Sequence, residues 1–173
     1  AAVRAGAGLV TLAAPRNVYA IVASRLTEVI HLPLPEDAEG RIHPDAAQIV
    51  RENLFKCDSL LVGCGLGCSI GTADFLERLL LMEPRPALPT VIDADGLNNL
   101  SQMTNWWQRL GGPIVLTPHP GEMAALTMVP TYGVQQDRIS IARQWAAHWS
   151  TTIVLKGAHT VVAEPEGPVQ LSP

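Results

Sequence analysis

The sequence predicts an α/β fold in which helices cover both faces of a mainly parallel sheet. Short apolar, β-branched runs alternate along the chain with helical patterns, and several of these runs end in polar, glycine-containing turns. Strands that alternate with helices are typical of a parallel sheet, because parallel neighbours need long crossover connections. Only a short turn separates two late strand-like runs, which predicts an antiparallel hairpin at the C-terminal edge of the sheet.

The first half of the chain predicts three strands and three helices. Pro33 and Pro35 end the second strand, whereas Pro44 suits the first turn of the second helix. Ser69 is a favourable N-cap for the third helix, whose apolar stripe begins at Phe75. The predicted strands cover residues 8–13, 29–34 and 59–62, and the first two helices cover residues 18–26 and 44–54.

The second half repeats this alternation. Two further strands are each followed by polar residues and a helix. The spacing of Ile141, Trp145 and Trp149 by four residues indicates core packing rather than a role in base stacking. The predicted strands cover residues 89–92 and 113–116, the long helix covers residues 134–149, and the hairpin covers residues 151–163.

The composition describes an ordinary globular domain and argues against several classes of partner. Apolar residues make up 47% of the 173 residues and charged residues 16%, both ordinary values. A formal net charge of −4, without a cluster of lysine or arginine, does not favour nucleic-acid binding. No apolar run is long enough to span a membrane, and no signal peptide is recognisable. We therefore expect a cytoplasmic protein without nucleic-acid or membrane partners.

The three cysteines are an odd number in a sequence without secretory features, which predicts reduced thiols. Cys64 and Cys68 lack a second pair of metal ligands downstream. This favours small buried fillers in a glycine-rich turn over half of a zinc site.

Both ends predict a fragment of a longer domain. Residues 1–7 form an apolar helical pattern without an N-cap, and residues 171–173 directly follow a third strand-like run. We therefore expect a single domain over residues 1–173 that is truncated at both ends.

Four polar segments follow predicted strands, where ligands bind in open parallel sheets. The first, GCGLG at residues 63–67, lets a ligand approach the backbone and precedes a helix N-terminus, although an ordinary tight turn fits equally well. The second contains Asp93 and Asp95, whose carboxylates suit Mg²⁺, and the ion in turn orients phosphate oxygens. The alternative is that Asp95 only caps the next helix.

The third segment, TPHPGE at residues 117–122, holds His119 between two prolines. We expect this imidazole to contact a ligand rather than to serve only a structural role. Glu122 falls in the first turn of the next helix, where it caps the helix or reaches a metal. The fourth segment, residues 156–160, offers a lysine, backbone N–H groups and a hydroxyl to a phosphate. The alternative is an ordinary hairpin turn with a solvated lysine.

Taken together, these segments closely resemble the ADP/ATP-dependent NAD(P)H-hydrate dehydratase family. The resemblance rests on VIDADGLN at residues 91–98, LTPHPGE at 116–122 and VLKGAHT at 154–160. AGAGLVT at residues 5–11 and the turn at 63–67 match in the same order, so the resemblance covers essentially the whole chain. It implies a ribokinase-like, three-layer α/β/α fold.

The resemblance also implies an activity. The family repairs the 6-hydroxylated hydrate of NADH or NADPH by a dehydration that is coupled to hydrolysis of ADP or ATP. The hydroxyl is phosphorylated and then eliminated as phosphate, with Mg²⁺ as the cofactor. The implied hydrate site is Gly65, Gly67 and His119; the nucleotide site is Lys156, Gly157, Ala158, His159 and Thr160; the metal site is Glu122 with Asp93 or Asp95.

Two expected parts of the family's site lie outside this chain. The catalytic base is expected to be an aspartate in a G-x-G-D loop beyond Pro173, and a glycine- and tyrosine-containing substrate segment is expected before residue 1. We therefore predict that the fragment is inactive alone and that its parent is active. The family includes bifunctional members with an N-terminal epimerase domain, so the resemblance leaves open such a domain in the parent.

Two rival functions remain open at this point. A vitamin-precursor kinase of the same fold would phosphorylate a hydroxymethyl group and release the phosphoester, and a non-catalytic nucleotide-binding module would lack the aspartate loop. The sequence also leaves open the choice between ADP and ATP, the choice between NADH and NADPH hydrate, and whether the protein is a homo-oligomer.

Overall fold

Residues 2–172, the part of the chain that this computed structural model describes, contain eight strands and seven α-helices. The strands are β1 (Thr11–Pro15), β2 (Ile30–Leu34), β3 (Leu60–Val62), β4 (Thr90–Ile92), β5 (Ile114–Leu116), β6 (Thr152–Leu155), β7 (Thr160–Ala163) and β8 (Gln170–Ser172). The helices are α1 (Arg16–Ala23), α2 (Ala46–Asn53), α3 (Ile70–Leu76), α4 (Asp95–Leu100), α5 (Pro120–Thr127), α6 (Thr131–Gln136) and α7 (Arg138–Trp149).

The main sheet has six strands in the order β3-β4-β5-β6-β7-β8. β3, β4, β5 and β6 run parallel, so the loops that follow them meet at one edge of the sheet. β7 and β8 are added antiparallel, with Leu155 opposite Val161 in the β6–β7 hairpin. The predicted mainly parallel sheet with a C-terminal hairpin is therefore confirmed, and β8 adds one more strand at that edge.

The first two strands do not join this sheet within the described residues. β1 and β2 pair with each other in a separate, two-stranded parallel sheet. Pro33 lies inside β2 and has no N–H to donate, which keeps this strand from a central position. β3, which lies at the edge of the main sheet, has only three residues, and Leu61 at its centre is 63% exposed. The first two predicted strands therefore form a small parallel sheet of their own.

Two predicted helices differ from those observed. The helix predicted at residues 134–149 is two helices, because Asp137 leaves the helical conformation and accepts a hydrogen bond from the Ser140 N–H at the start of α7. The predicted helical pattern at residues 1–7 is a single 3₁₀ turn at Val3–Ala5 that ends at Gly6 with φ +99°. Ala1 and Pro173 lie outside the described residues.

The core lies between the main sheet and its helices. Ile92, Leu116 and Ile153 on adjacent strands are fully buried. The Trp149 ring lies 5.0 Å from that of Trp106 and 4.9 Å from that of Trp145, measured between centroids, which confirms core packing for the tryptophan stripe. No helix in the described part of the chain combines the length and apolarity needed to cross a membrane.

Candidate active site at the strand ends

Three charged side chains meet beyond the carboxyl ends of β4, β5 and β6. The Lys156 ammonium donates to Asp93 Oδ1 at 2.6 Å and lies 3.8 Å from Glu122 Oε2. Lys156 and Asp93 are 63 positions apart in sequence, so the packing of parallel strands creates this contact. Asp93, Glu122 and Lys156 are called the lysine–acid cluster below.

Asp93 is held in its charged form by this environment. Burial alone would raise the pKa of its carboxyl group, but the Lys156 ammonium, the Thr117 hydroxyl and the Ala94 N–H together hold the pKa below its ordinary value. Ala94, whose N–H makes one of these contacts, has a positive φ of 49°, which is a strained backbone conformation for alanine. Asp93 is therefore a carboxylate at neutral pH.

His119 and Glu122 form a reciprocal cap at the start of α5. His119 Nδ1 accepts the N–H groups of Gly121 and Glu122 at 3.0 and 3.2 Å, while Glu122 Oε2 accepts the His119 N–H at 2.8 Å. The Nε2 atom of His119 therefore carries the ring proton in the neutral imidazole. The Glu122 side chain is only 6% exposed, whereas that of His119 is 56% exposed and open to a ligand.

The glycine turn after β3 packs directly on the turn after β4. Gly63 has a φ of +125°, and a Cβ there would lie 1.9 Å from the Asp93 carbonyl oxygen. Gly65 and Gly67 also have positive φ, yet a Cβ at either would meet no atom within 4 Å, so both face open space. The turn therefore offers bare backbone beside the lysine–acid cluster, which suits a ligand that approaches closely.

Asp95 does not join the lysine–acid cluster. Its Oδ2 accepts the Gly67 N–H at 2.8 Å, and the buried Asn99 side chain donates to the Gly67 carbonyl at 3.0 Å. α4 thus holds both polar groups of one residue in the glycine turn. The alternative that Asp95 caps α4 is not observed either, since the N-cap position is Ala94 and has no side-chain cap.

The cysteines of the turn are exposed, so the expectation that they are buried is wrong. Cys64 and Cys68 are free, exposed cysteines; the Cys64 thiol donates to Asp93 Oδ2 at 3.8 Å, and the Cys68 sulfur accepts from the Asn99 side chain at 3.7 Å. Partial burial and the adjacent carboxylates of Asp93 and Asp95, respectively, raise the pKa of both thiols. They therefore stay protonated at neutral pH and are weak metal ligands and nucleophiles.

Arg138, at the start of α7, holds the turn between β6 and β7 in place. The sequence did not predict this role. The Arg138 guanidinium donates to the carbonyl groups of Ala158, Leu155 and Lys156 at 2.7, 2.9 and 3.2 Å. The sequence does contain a signal for such a contact. An arginine in the first turn of a helix is disfavoured by the helix dipole, so its presence there indicates a contact that offsets this cost. The His159 backbone has a φ of +60°, and the Thr160 hydroxyl donates to the Gly157 carbonyl at 3.4 Å.

A preformed metal cage is absent from residues 2–172, where no three His, Cys, Asp or Glu side chains converge on a common point. Asp93 and Glu122 instead share the Lys156 ammonium, which lies where a cation would balance both carboxylates. Mg²⁺ commonly takes one or two carboxylates and completes its shell with water and phosphate oxygens. These two residues therefore fit an ion that arrives with a nucleotide.

Comparison with known proteins identifies relatives over the whole chain. A family model described as NAD(P)H-hydrate dehydratase matches residues 1–173. The bifunctional NAD(P)H-hydrate repair enzyme of Moorella thermoacetica is 44% identical over 173 residues, which are 100% of this chain and 32% of that protein. The ADP-dependent (S)-NAD(P)H-hydrate dehydratase of Bacillus subtilis is 30% identical over 172 residues, which are 99% of this chain and 56% of that protein.

Solved structures agree with these relatives. The ADP/ATP-dependent NAD(P)H-hydrate dehydratase of Bacillus subtilis, co-crystallised with ATP/Mg²⁺ and soaked with CoA, superposes with a TM-score of 0.71 and 27% identity. The match covers 98% of this chain and 56% of that one. A ribokinase-like superfamily protein of Enterococcus faecalis has a TM-score of 0.72 at 22% identity, over 94% of this chain and 52% of its own, which supports the fold.

The chain spans about a third of the length of the Moorella relative and about half that of the Bacillus one. Within that span the lysine–acid cluster, the His119 cap and the glycine turn all lie at the carboxyl ends of adjacent parallel strands. The fold is ribokinase-like, and the chain belongs to the NAD(P)H-hydrate dehydratase family.

Proposed function

We propose that the protein containing this chain dehydrates the 6-hydroxy hydrate of NADH or NADPH and so restores the reduced cofactor. The reaction consumes ADP or ATP and releases AMP or ADP with phosphate. The observation that carries this proposal is the lysine–acid cluster, which places one cation and two carboxylates at the start of the turn after β6. Family membership supplies the substrate class.

The nucleotide is assigned to the turn after β6. Lys156 offers the charge, and Thr160 offers a hydroxyl. Among residues 2–172, the N–H groups of Gly157, Ala158 and His159 have no hydrogen-bond acceptor, which leaves them free for phosphate oxygens. The named activity and ATP/Mg²⁺ co-crystal of the Bacillus subtilis relative support an adenine nucleotide.

The hydrate is assigned to the neighbouring surface formed by Gly65, Gly67 and His119. Because Asp95 already accepts the Gly67 N–H, Gly67 contributes close backbone approach rather than a donor. The His119 side chain is 56% exposed, and its Nε2–H, 3.4 Å from Glu122 Oε1, is the donor it offers to an oxygen of the substrate. The same residue also caps α5, so binding and helix stability depend on one imidazole.

Asp93 and Glu122 would hold Mg²⁺ together with phosphate oxygens, which suits a short-lived, nucleotide-borne site. When bound, the ion neutralises the charge on the phosphate being transferred. Lys156 then exchanges its carboxylate partners for phosphate oxygens, because its flexible stem allows the ammonium to move between them. Asp95 fixes the position of the glycine turn, because its carboxylate accepts the Gly67 N–H.

The proposed reaction has two steps. The hydrate hydroxyl attacks the terminal phosphorus of the nucleotide, so an O–P bond forms while the bridging P–O bond breaks. Loss of phosphate and of a ring proton then restores the double bond. The base that removes the hydroxyl proton stays predicted as an aspartate of a G-x-G-D loop beyond Pro173.

The test is an assay of the full-length protein with NADH hydrate, Mg²⁺ and ADP or ATP, followed by the return of NADH absorbance. We expect nucleotide-dependent recovery by the full-length protein and none by the 173-residue chain alone. Vitamin precursors with a hydroxymethyl group, incubated in parallel, test the kinase alternative. Phosphoester formation without NADH recovery would contradict the dehydratase proposal. Cytoplasmic location, oligomeric state and an epimerase domain also stay predictions.

A further inference from the structure

The guanidinium of Arg138 lies under the turn that is assigned to the nucleotide. It makes three hydrogen bonds to the end of β6 and to that turn, through the carbonyl groups of Leu155, Lys156 and Ala158. The residue sits at the first position of α7, whose N-cap Asp137 anchors the helix start. Arg138 therefore connects a rigid helix to the backbone of the loop from the side opposite the open N–H groups.

These contacts determine where the N–H groups of the turn point. In a trans peptide the carbonyl group and the following N–H point in opposite directions. A carbonyl held on Arg138 therefore turns the next N–H away from it. The first peptide of the series confirms this geometry, because the Leu155 carbonyl faces Arg138 while the Lys156 N–H donates to the Pro118 carbonyl at 2.8 Å.

The opposite directions of a carbonyl group and the following N–H also apply to the other two carbonyl groups that Arg138 holds. With the carbonyls of Lys156 and Ala158 held on the guanidinium, the N–H groups of Gly157 and His159 point away from Arg138. Neither of these donors has a protein acceptor in the part of the chain that the structure describes. Arg138 thus holds the positive ends of two peptide dipoles toward the space that receives an anion.

Gly157 is part of the same arrangement. Its φ is +149°, and a Cβ there would lie 2.9 Å from a guanidinium nitrogen of Arg138. A side chain at this position would displace the guanidinium from the carbonyl groups as well as strain the backbone. The close approach of Arg138 is thus compatible with glycine and with little else.

We propose that Arg138 is a positioning residue for nucleotide binding, which orients the N–H groups of Gly157 and His159 toward the phosphates without touching them itself. This inference rests on the proposed assignment of the turn to the nucleotide. Arginine suits the role because its planar fork reaches several acceptors in a fixed geometry, whereas lysine offers a single point charge. The charge itself also adds a favourable potential behind the phosphate site.

The test compares Arg138→Gln and Arg138→Lys with Arg143→Gln, a matched control on the same helix, in the full-length protein. ADP with Mg²⁺ is titrated by calorimetry, and the Michaelis constants for ADP and hydrate are measured separately. We expect Arg138→Gln to weaken ADP binding by at least about tenfold, because charge-assisted hydrogen bonds are lost. Arg138→Lys should recover part of that loss, and Arg143→Gln should leave binding unchanged.

A structural role alone predicts a different result, because reduced stability lowers the active fraction without changing the Michaelis constant for ADP. We expect that constant to rise while the constant for the hydrate stays the same. If Arg138→Gln does not fold, Gly157→Ala disturbs the same contact from the loop and should weaken ADP binding in the same way. Wild-type protein that binds neither ADP nor ATP would contradict the proposed function. If the wild type binds ADP and the folded variants bind it equally well, the role of Arg138 is overturned while the proposed function stands.

Discussion

Lys156 is the residue on which the two halves of the candidate site depend. It is one of two lysines in the chain, and its ammonium balances Asp93 and Glu122 when no phosphate is bound. Its side chain is 39% exposed, so its ion pair with Asp93 contributes at most about 1 kcal/mol to folding. The main consequence of losing this charge therefore falls on ligand binding.

We expect Lys156→Met to weaken ADP binding by roughly tenfold to a hundredfold, as a lost charge-assisted hydrogen bond predicts. The apolar stem is retained, so the melting temperature should change little. Calorimetric titration with ADP and Mg²⁺ measures the effect. Lys56→Met is the control, because this lysine lies over the exposed ring of Phe55, away from the strand ends. Equal ADP binding by both variants would contradict the assignment.

Asp93 provides a pH-dependent contribution to stability. Its folded-state pKa is depressed from the ordinary value of 3.8, so its ion pair stabilises the fold above that value. This stabilisation is lost as the pH falls below 3.8 and through the folded-state pKa. We expect Asp93→Asn to be less stable than wild type at pH 7 and equally stable once Asp93 is protonated. Urea unfolding across this range tests the sign, with the exposed Asp58→Asn as the control.

At the scale of single elements, α5 depends on a histidine in a position where serine, threonine, aspartate or asparagine is more usual. The Pro120 ring occupies the first helical position, and His119 Nδ1 satisfies two N–H groups that no residue of the helix can bond. An imidazole can cap the helix through Nδ1 and still carry a second polar atom, Nε2, which lies 3.4 Å from Glu122 Oε1 on an exposed side chain. The element thus combines stability with recognition.

The two roles of His119 can be separated by substitution. We expect His119→Ala to lower stability by about 1 kcal/mol through loss of the cap. His119→Asn should restore most of that stability, because the amide oxygen can accept the same N–H groups. If the imidazole also binds the hydrate, the Michaelis constant for the hydrate should rise in both variants while ADP binding stays unchanged. Full recovery of hydrate binding by His119→Asn would show that His119 is only a cap.

At the scale of the whole molecule, buried apolar side chains are concentrated around the six-stranded sheet. β1 and α1 contain no buried residue, and in β2 only Leu34 is buried, with Leu32 partly buried against the core. The two-stranded sheet is therefore held mainly by its own hydrogen bonds and by contacts such as the Asn17 amide donating to the Gly40 carbonyl. Regions with few buried apolar contacts open at lower free energy than the core.

Hydrogen exchange should reveal this difference. We expect the amide protons of β1 and β2 to exchange faster than those of β4, β5 and β6 by at least about an order of magnitude, because they open without unfolding the core. Mass spectrometry of the native protein gives the rates for each peptide. Equal protection in both sheets would contradict the prediction and would indicate a single cooperative unit.

The sequence by itself determined the α/β alternation, the hairpin after β6 and the segments that form the candidate site. These features depend on local patterns: apolar runs, prolines at helix starts, and polar residues just beyond strands. Tertiary structure decided which of those polar residues meet. Lys156 selects Asp93 rather than Asp95, because the two acids, two positions apart, point to different neighbours. Arg138 acquired its role only when α7 packed under the β6–β7 turn. A contact between residues distant in sequence depends on the packing of whole elements, which no local pattern specifies.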